Sequence, residues 1–341
     1  MEFLSEYGLF LLKALTIIAV PLLGIAIASA LIKSKSHHEN HLEVKNLNEK
    51  YQQMKLTLNA STLPKKAFKE SLKLFKKDYK AESKKESCDK KRLFVLNFKG
   101  DVRASAVESL REEITAILLI AQPDDEVLVK IESGGGIVHD YGLAASQLQR
   151  IRDRGIPLTI SVDRIAASGG YMMACVADKI IAAPFAILGS IGVIGQLPNF
   201  NRLLKNHDID FEMHTAGEYK RTLTMFGENN EKAREKFQTE IQETHLLFKD
   251  FIKLNREGLN LEKVATGEHW YGIQALELNL ADELITSDDY LESACKDSAL
   301  FEVSWKRKKS AFEKLFSKGI AAFSRSQEEQ ALTHPGERTY F

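Results

Sequence analysis

Cysteine is scarce: the 341 residues hold 3, at Cys88, Cys175 and Cys295. Their odd number and wide spacing exclude a disulfide framework and any cysteine-based metal motif. Net charge is lacking as well. Lys and Arg number 47 and Asp and Glu 47, so no global positive field points to nucleic acid. A repeat of fixed period is also missing, which argues against a solenoid or propeller. What remains is an ordinary globular composition, 44% hydrophobic, with length enough for a large core.

The charge is unevenly spread. Lys33 to Arg92 carries 17 Lys and Arg against 8 Asp and Glu, and the rest of the chain is correspondingly acidic. Before that basic stretch, Ala14 to Ile32 (ALTIIAVPLLGIAIASALI) holds no charge. It is long enough to cross a bilayer core of ~30 Å as a helix. Residues 1–35 are therefore expected to form a transmembrane anchor. A cleaved signal peptide is the competing reading. Against it, Glu2 and Glu6 stand where a basic segment would be. The lysines after the span place the C-terminal bulk in the cytoplasm by the positive-inside rule.

Residues 36–92 read as a basic helical connector. KKAFKESLKLFKKDYK sets Phe68, Leu72, Phe75 and Tyr79 on one helix face among lysines, which fits either anionic lipid or an ordinary packing surface. Residues 93–300 alternate short apolar runs with segments of helical period. That β-α rhythm predicts an α/β fold with a parallel sheet. LFVLNFKG, EVLVKIESGGG and PLTISVD read as strands, VHDYGLAASQLQRIRDRG as a helix, and DFEMHTAGEYK as a further strand. A long helix is expected from about Asn230 to Arg256. Residues 301–341 are expected to be an amphipathic and then disordered tail.

Three strand ends are rich in glycine: ESGGGI from Glu132, AASGGY from Ala166, and LGSIGVIG from Leu188. Ligands bind at the carboxyl ends of parallel strands, and glycine lets backbone N–H groups approach them. Two converging amides make an oxyanion hole. Ser168, among alanines and glycines, is the candidate nucleophile, and a serine hydroxyl needs a base. His139, His214 and His269 are candidates for that base, with Asp140 or Asp163 as a third member. Lys220 is another; an amine works as a base only when burial keeps it neutral. The local pair Ser87 and Lys90 lies in the basic connector without an apolar shell and is rejected.

SGGG, AASGGYMMA, GSIGVIG and a G-x-x-K turn, in this order, resemble the signal peptide peptidase A family of serine proteases. The N-terminal span, the basic connector and YKRTLTMFGEN resemble one branch of it in particular. The resemblance implies a ClpP/crotonase-like fold of repeated β-β-α and βαβ units behind an N-terminal transmembrane helix. It implies Ser168 as nucleophile, Lys220 as general base, Ser190 orienting the lysine, and the amides of Gly135 and Gly169 as the oxyanion hole. It implies no metal and no organic cofactor. The partners implied are a peptide or unfolded-protein substrate, the lipid bilayer of a bacterial inner membrane crossed once, and further copies of the chain in a ring-like homo-oligomer; nucleic acid is not among them. On this reading Lys220 serves Ser168 of its own chain or of a neighbour. The family places the catalytic part outside the inner membrane, against the charge rule. Arg221 after the lysine departs from the family's usual residue. Two further readings share the fold: a crotonase-type acyl-CoA enzyme and a non-catalytic membrane scaffold.

Overall fold

The computed structural model describes residues 40–84 and 90–306, together with the isolated positions 8 and 15. The expected membrane span at Ala14–Ile32, the Ser87–Lys90 pair, Cys88 and the tail beyond residue 306 fall wholly or partly outside the described residues. Among the described residues no helix is long and apolar enough to cross a membrane. One compact unit covers Glu43–Ser304.

The central sheet of the compact unit is built on β2 (Arg92–Lys99), β3 (Glu126–Glu132), β4 (Leu158–Val162), β6 (Lys179–Ala182) and β9 (Glu283–Leu284). On the other side of β2 stand β10 (Ala299–Lys306) and then β1 (His41–Asn46). From β10 across to β9 every neighbouring pair is parallel, as the β-α rhythm predicts. A second sheet orders β5 (Ile165–Ala167), β7 (Ile187–Gly189) and β8 (His269–Tyr271), with β5 parallel to β7 and β7 antiparallel to β8.

The central strands are apolar on both faces because both are covered. On one face Phe94, Leu96, Phe98, Val129, Ile131 and Ile160 pack with Leu110 and Ile114 of α3 (Val107–Leu118) and Leu148 and Ile151 of α4 (Val138–Arg152). Alternate residues point the other way. There Leu93, Val95, Leu128 and Leu300 meet Leu47 of α1 (Leu47–Thr62) and Leu291 of α10 (Ser287–Ala294). Between these lie α2 (Lys65–Lys84), α5 (Gly169–Ala174), α6 (Asn201–Lys205), α7 (Glu231–Asn255), α8 (Leu261–Val264) and α9 (Gly272–Glu277). On α2, Phe68 and Leu72 are half-buried while Lys65, Lys66, Lys69 and Lys73 are exposed, as an amphipathic face requires; the side chains of Phe75 and Tyr79 are outside the described residues.

Three local expectations differ from what forms. HLEVKN is strand β1 rather than helix, because a backbone edge at β10 is there to pair with it. The sheet also runs past residue 300: Leu300 and Val303 are buried and β10 pairs with β2. Asp210–Lys220 forms no strand. Phe211 and Met213 remain exposed there, and without a neighbouring strand an isolated extended run does not persist.

Charged groups anchor the amino ends of the strands, away from the glycine turns. Asp125 is buried and accepts from Arg92 Nε at 3.0 Å, from Arg92 N–H at 3.0 Å and from Gln122 N–H at 2.7 Å. Burial pushes its carboxyl up, but these donors outweigh it and hold it below the usual carboxylate range. A depressed carboxylate stabilises the fold fully above the unfolded value, about pH 4, and loses that contribution as pH falls through the folded value. Asp125→Asn is therefore expected to lower the melting temperature at neutral pH and to flatten its decline below about pH 4. Parallel melting curves of the two proteins across that range are the check.

Candidate active site

The three glycine-rich turns follow the ends of β3, β5 and β7. The last residue before the first glycine turn, Ser133, bridges to the second sheet: its N–H donates to Ile165 C=O at 2.8 Å and its C=O accepts from Ala167 N–H at 3.0 Å. That bridge sets the ESGGGI turn against the AASGG turn. Ser168 follows β5 and caps α5, whose Met172 N–H donates to Ser168 C=O at 2.9 Å. Its own N–H donates to Gly189 C=O at 2.8 Å. Its backbone is left-handed, φ 51° and ψ −118°, a conformation that costs a non-glycine residue about 1–3 kcal/mol. The fold holds it there because both flanking residues are buried and Ala167 N–H is bonded to Ser133 C=O.

Gly135 packs directly on this elbow. A Cβ there would come within 2.7 Å of Gly169 N and of Ser168 Cβ, and the residue has φ 88°. Only glycine fits. Gly169 occupies the first helical position of α5, where the N–H lies outside the intrahelical ladder. The N–H of Gly135, in contrast, donates to Ser133 Oγ at 3.1 Å. Small-residue turns thus bring a strained serine hydroxyl next to the backbone of both glycines named from the sequence.

Ser190 follows β7 with φ 49°, half-buried, and its N–H donates at 2.7 Å to the C=O of Glu268, the residue before β8. Strand register puts Ala167, Gly189 and His269 side by side, so Ser168 and Ser190 leave the small sheet at one end.

Lys220 stands elsewhere. It follows the Gly217 turn, its N–H donating to Gly217 C=O at 3.1 Å, and is exposed. With Ile194, Tyr219, Arg221, Phe237 and Glu240 it lines a cavity of about 600 Å³ that Ser168 does not line. Arg221 is exposed as well. Among the described residues the Ser168 hydroxyl has no hydrogen bond to a lysine or a histidine. His139 is 83% exposed and 3.7 Å from Asp140, and His214 is 91% exposed and 3.7 Å from Glu212. His269 stands edge-on to Tyr271. Asp163 accepts from Ser287 N–H and Oγ at 2.8 and 2.6 Å. None of these forms a triad with Ser168. No group of three His, Cys, Asp or Glu stands where it could hold a metal ion, among the described residues. Cys175 is buried, and burial pushes its thiol far above the ordinary range.

Two residues beneath the turns carried no functional signal in the sequence. Ser133 and Tyr141 are both buried and meet at 2.5 Å between the hydroxyls. A serine before glycines and a tyrosine on a helix read as packing until a fold puts them together.

A site of this kind, a strained serine and glycine-rich turns at the carboxyl ends of parallel strands, suits acyl transfer. The sequence matches two family models, Peptidase family S49 N-terminal over residues 2–148 and Peptidase family S49 over residues 150–300. The protein is a serine-type peptidase, and it belongs to peptidase family S49. Within the family its similarity is to SohB proteins. The "Probable protease SohB" of Haemophilus influenzae is 46% identical over 97% of this chain and 95% of its own. That of Buchnera aphidicola subsp. Schlechtendalia chinensis is 50% identical over 86% of this chain and 100% of its own. Among solved structures, a mutant of the 1510-N membrane-bound stomatin-specific protease with a substrate peptide matches at 15% identity and TM-score 0.41, over 67% of this chain and 98% of that one. A ClpP1 mutant from Listeria monocytogenes matches at TM-score 0.39, over 59% and 94%.

Proposed function

We propose that the chain is a membrane-anchored endopeptidase of ClpP/crotonase-like fold in which Ser168 is the nucleophile and Lys220 the general base. The observation that carries the reading is the left-handed Ser168 backbone wedged against Gly135 and Gly169. Strain of this kind persists where surrounding structure holds it, and it clusters at active sites. The substrate's scissile carbonyl oxygen lies against the amides of Gly169 and Gly135. Ser168 Oγ attacks the carbonyl carbon and its proton passes to the neutral amine of Lys220. The amine returns that proton to the departing nitrogen as the C–N bond breaks, leaving an acyl-serine. Water then enters by the reverse route. Ser190, just after β7, orients the lysine.

Lys220 comes from a neighbouring copy. A lysine acts as a base when its amine is shielded from water, and within one chain Lys220 is exposed and lines a cavity without Ser168. The same segment leaves Ile194, Leu203, Ile209, Phe211 and Tyr219 uncovered, Ile194 by 82%. Apolar surface on that scale fits a subunit contact. Ala14–Ile32 is the anchor in the bacterial inner membrane, and apolar peptides or unfolded envelope proteins are the substrates.

The test uses detergent-solubilised full-length protein and a quenched apolar peptide. Lys220→Ala and Ser168→Ala are each expected to lose activity, and mixing the two inactive proteins under subunit exchange is expected to restore part of it. Activity retained by Lys220→Ala refutes the dyad. Two dead variants that never complement each other place the lysine in the same chain as its serine.

A further inference from the structure

The proton inventory beneath the glycine turns has one solution. Tyr141 Oη donates to Asp101 C=O at 2.8 Å, and a carbonyl only accepts. The phenol's one proton is therefore spent. At the 2.5 Å contact with Ser133 Oγ the serine must be the donor. Ser133 Oγ then offers lone pairs to the third partner, the N–H of Gly135 at 3.1 Å. The bonds form a chain running one way: Gly135 N–H to Ser133 hydroxyl, to Tyr141 hydroxyl, to Asp101 carbonyl. Each link polarises the next. Its two hydroxyls are removed from water, with Tyr141 fully buried and Ser133 2% exposed, while Asp101 at its far end is exposed.

Tyr141 also touches the other turn. A Cβ on Gly169 would sit 2.4 Å from Tyr141 Cγ, so the ring lies directly under the Gly169 backbone. A Cβ on Gly100 would meet Tyr141 Oη at 2.4 Å and Ser133 Oγ at 2.5 Å, and one on Gly170 would meet Ser133 C=O at 2.6 Å. Glycines crowd the pair on three sides. Phe98 closes on the ring edge-on at 6.4 Å between centroids. One phenol thus lies under Gly169 with its ring and, through the Ser133 hydroxyl, bears on the direction of the Gly135 N–H.

We propose that Ser133 and Tyr141 are positioning residues for oxyanion stabilisation: the Ser133 hydroxyl is the resting acceptor of the Gly135 N–H, and Tyr141 keeps both glycine amides in register for the oxygen that develops in the transition state. This rests on the assignment of Ser168 as nucleophile. Loss of one oxyanion donor costs on the order of a hundred- to thousandfold in rate. A donor held in the wrong direction loses part of that, so roughly tenfold or more is expected.

The experiment compares Tyr141→Phe and Ser133→Ala with the unaltered full-length protein. Three quantities are read: kcat and KM on an apolar peptide, melting temperature, and inhibition by a leucine-rich peptide aldehyde against the matching peptide alcohol. The aldehyde forms a tetrahedral adduct with an oxyanion; the alcohol binds without one. Both variants are expected to lose roughly tenfold or more in kcat with KM little changed. Aldehyde inhibition should weaken by a similar factor while alcohol inhibition stays within about twofold. Unchanged kcat and aldehyde inhibition in a folded variant overturns the proposal. So does equal weakening of aldehyde and alcohol, which marks a merely structural role. If Tyr141→Phe fails to fold, Ser133→Ala decides by the same readings. Failure of the nucleophile assignment shows separately, as aldehyde inhibition or peptide cleavage that survives Ser168→Ala.

Discussion

Ser168→Ala leaves a folded protein whose peptide hydrolysis falls by at least about a thousandfold. The substitution removes one oxygen from a half-buried side chain that makes no capping hydrogen bond to α5. Little of the fold depends on it. What disappears is the atom that would bond the acyl group, and no neighbouring hydroxyl can replace it: Ser133 is buried and committed to Gly135 and Tyr141, and Ser190 follows a different strand. Ser168→Gly makes a sharper case. Its φ of 51° is costly for serine and free for glycine. Relief of that strain, less the extra chain entropy of glycine, should stabilise the protein by about 1 kcal/mol. A chain of this size then melts roughly 1–2 °C higher while remaining inactive. Covalent labelling by a fluorophosphonate should vanish in both variants. Hydrolysis that survives either one removes Ser168 from the mechanism.

Gly136→Ala is expected to be the most damaging single-methyl addition to the turns. A Cβ at this position would lie 2.1 Å from Val102 O and 2.7 Å from Val102 C and Cα. All three are backbone atoms, and Val102 C=O is pinned by Ile137 N–H at 2.8 Å. No side chain can rotate aside; the loop after β2 and the turn after β3 have to separate. Overpacking costs typically 1–3 kcal/mol, and a clash with fixed backbone belongs at the upper end, about 3 kcal/mol. The melting temperature should drop by roughly 4–6 °C, and activity should fall as the Gly135 amide moves with the turn. Gly142→Ala on α4 is the matched control. Nothing lies within 4 Å of its would-be Cβ, and the change should be neutral or stabilising by up to about 1 kcal/mol. Equal stability of the two variants would mean that the contact between these loops is not closed in solution.

Much of the scaffold could be read along the chain. VHDYGLAASQLQRIRDRG forms α4, closed by Gly155 at φ 69°, and the helix expected over Asn230–Arg256 forms as Glu231–Asn255. Both carry long helical patterns, and such patterns are local. The strands β2, β3 and β4 are short apolar runs bounded by glycine, proline or aspartate, and they form where those runs lie. Segments that depend on a partner were harder. HLEVKN has no strong period of its own and becomes a strand only beside β10. DFEMHTAGEYK resembles a strand in composition yet finds no edge to join. β-Pairing is a property of two segments, and one segment's residues carry half of it.

The same division runs through the candidate active site. From sequence alone came the three glycine turns, the serine among small residues and the lysine after a turn, because each is a local departure from ordinary composition. The bridge between Ser133 and Ala166 that brings two of those turns together was decided by the tertiary structure. So was the exposure of Lys220 away from Ser168, and so was the hydrogen-bond chain from Gly135 through the buried hydroxyls of Ser133 and Tyr141 to Asp101, which joins residues up to 40 positions apart. Residue identity specifies which donors and acceptors exist. Which of them meet is set by the packing of the sheet and its helices, and by the need to pair every polar group that this packing removes from water.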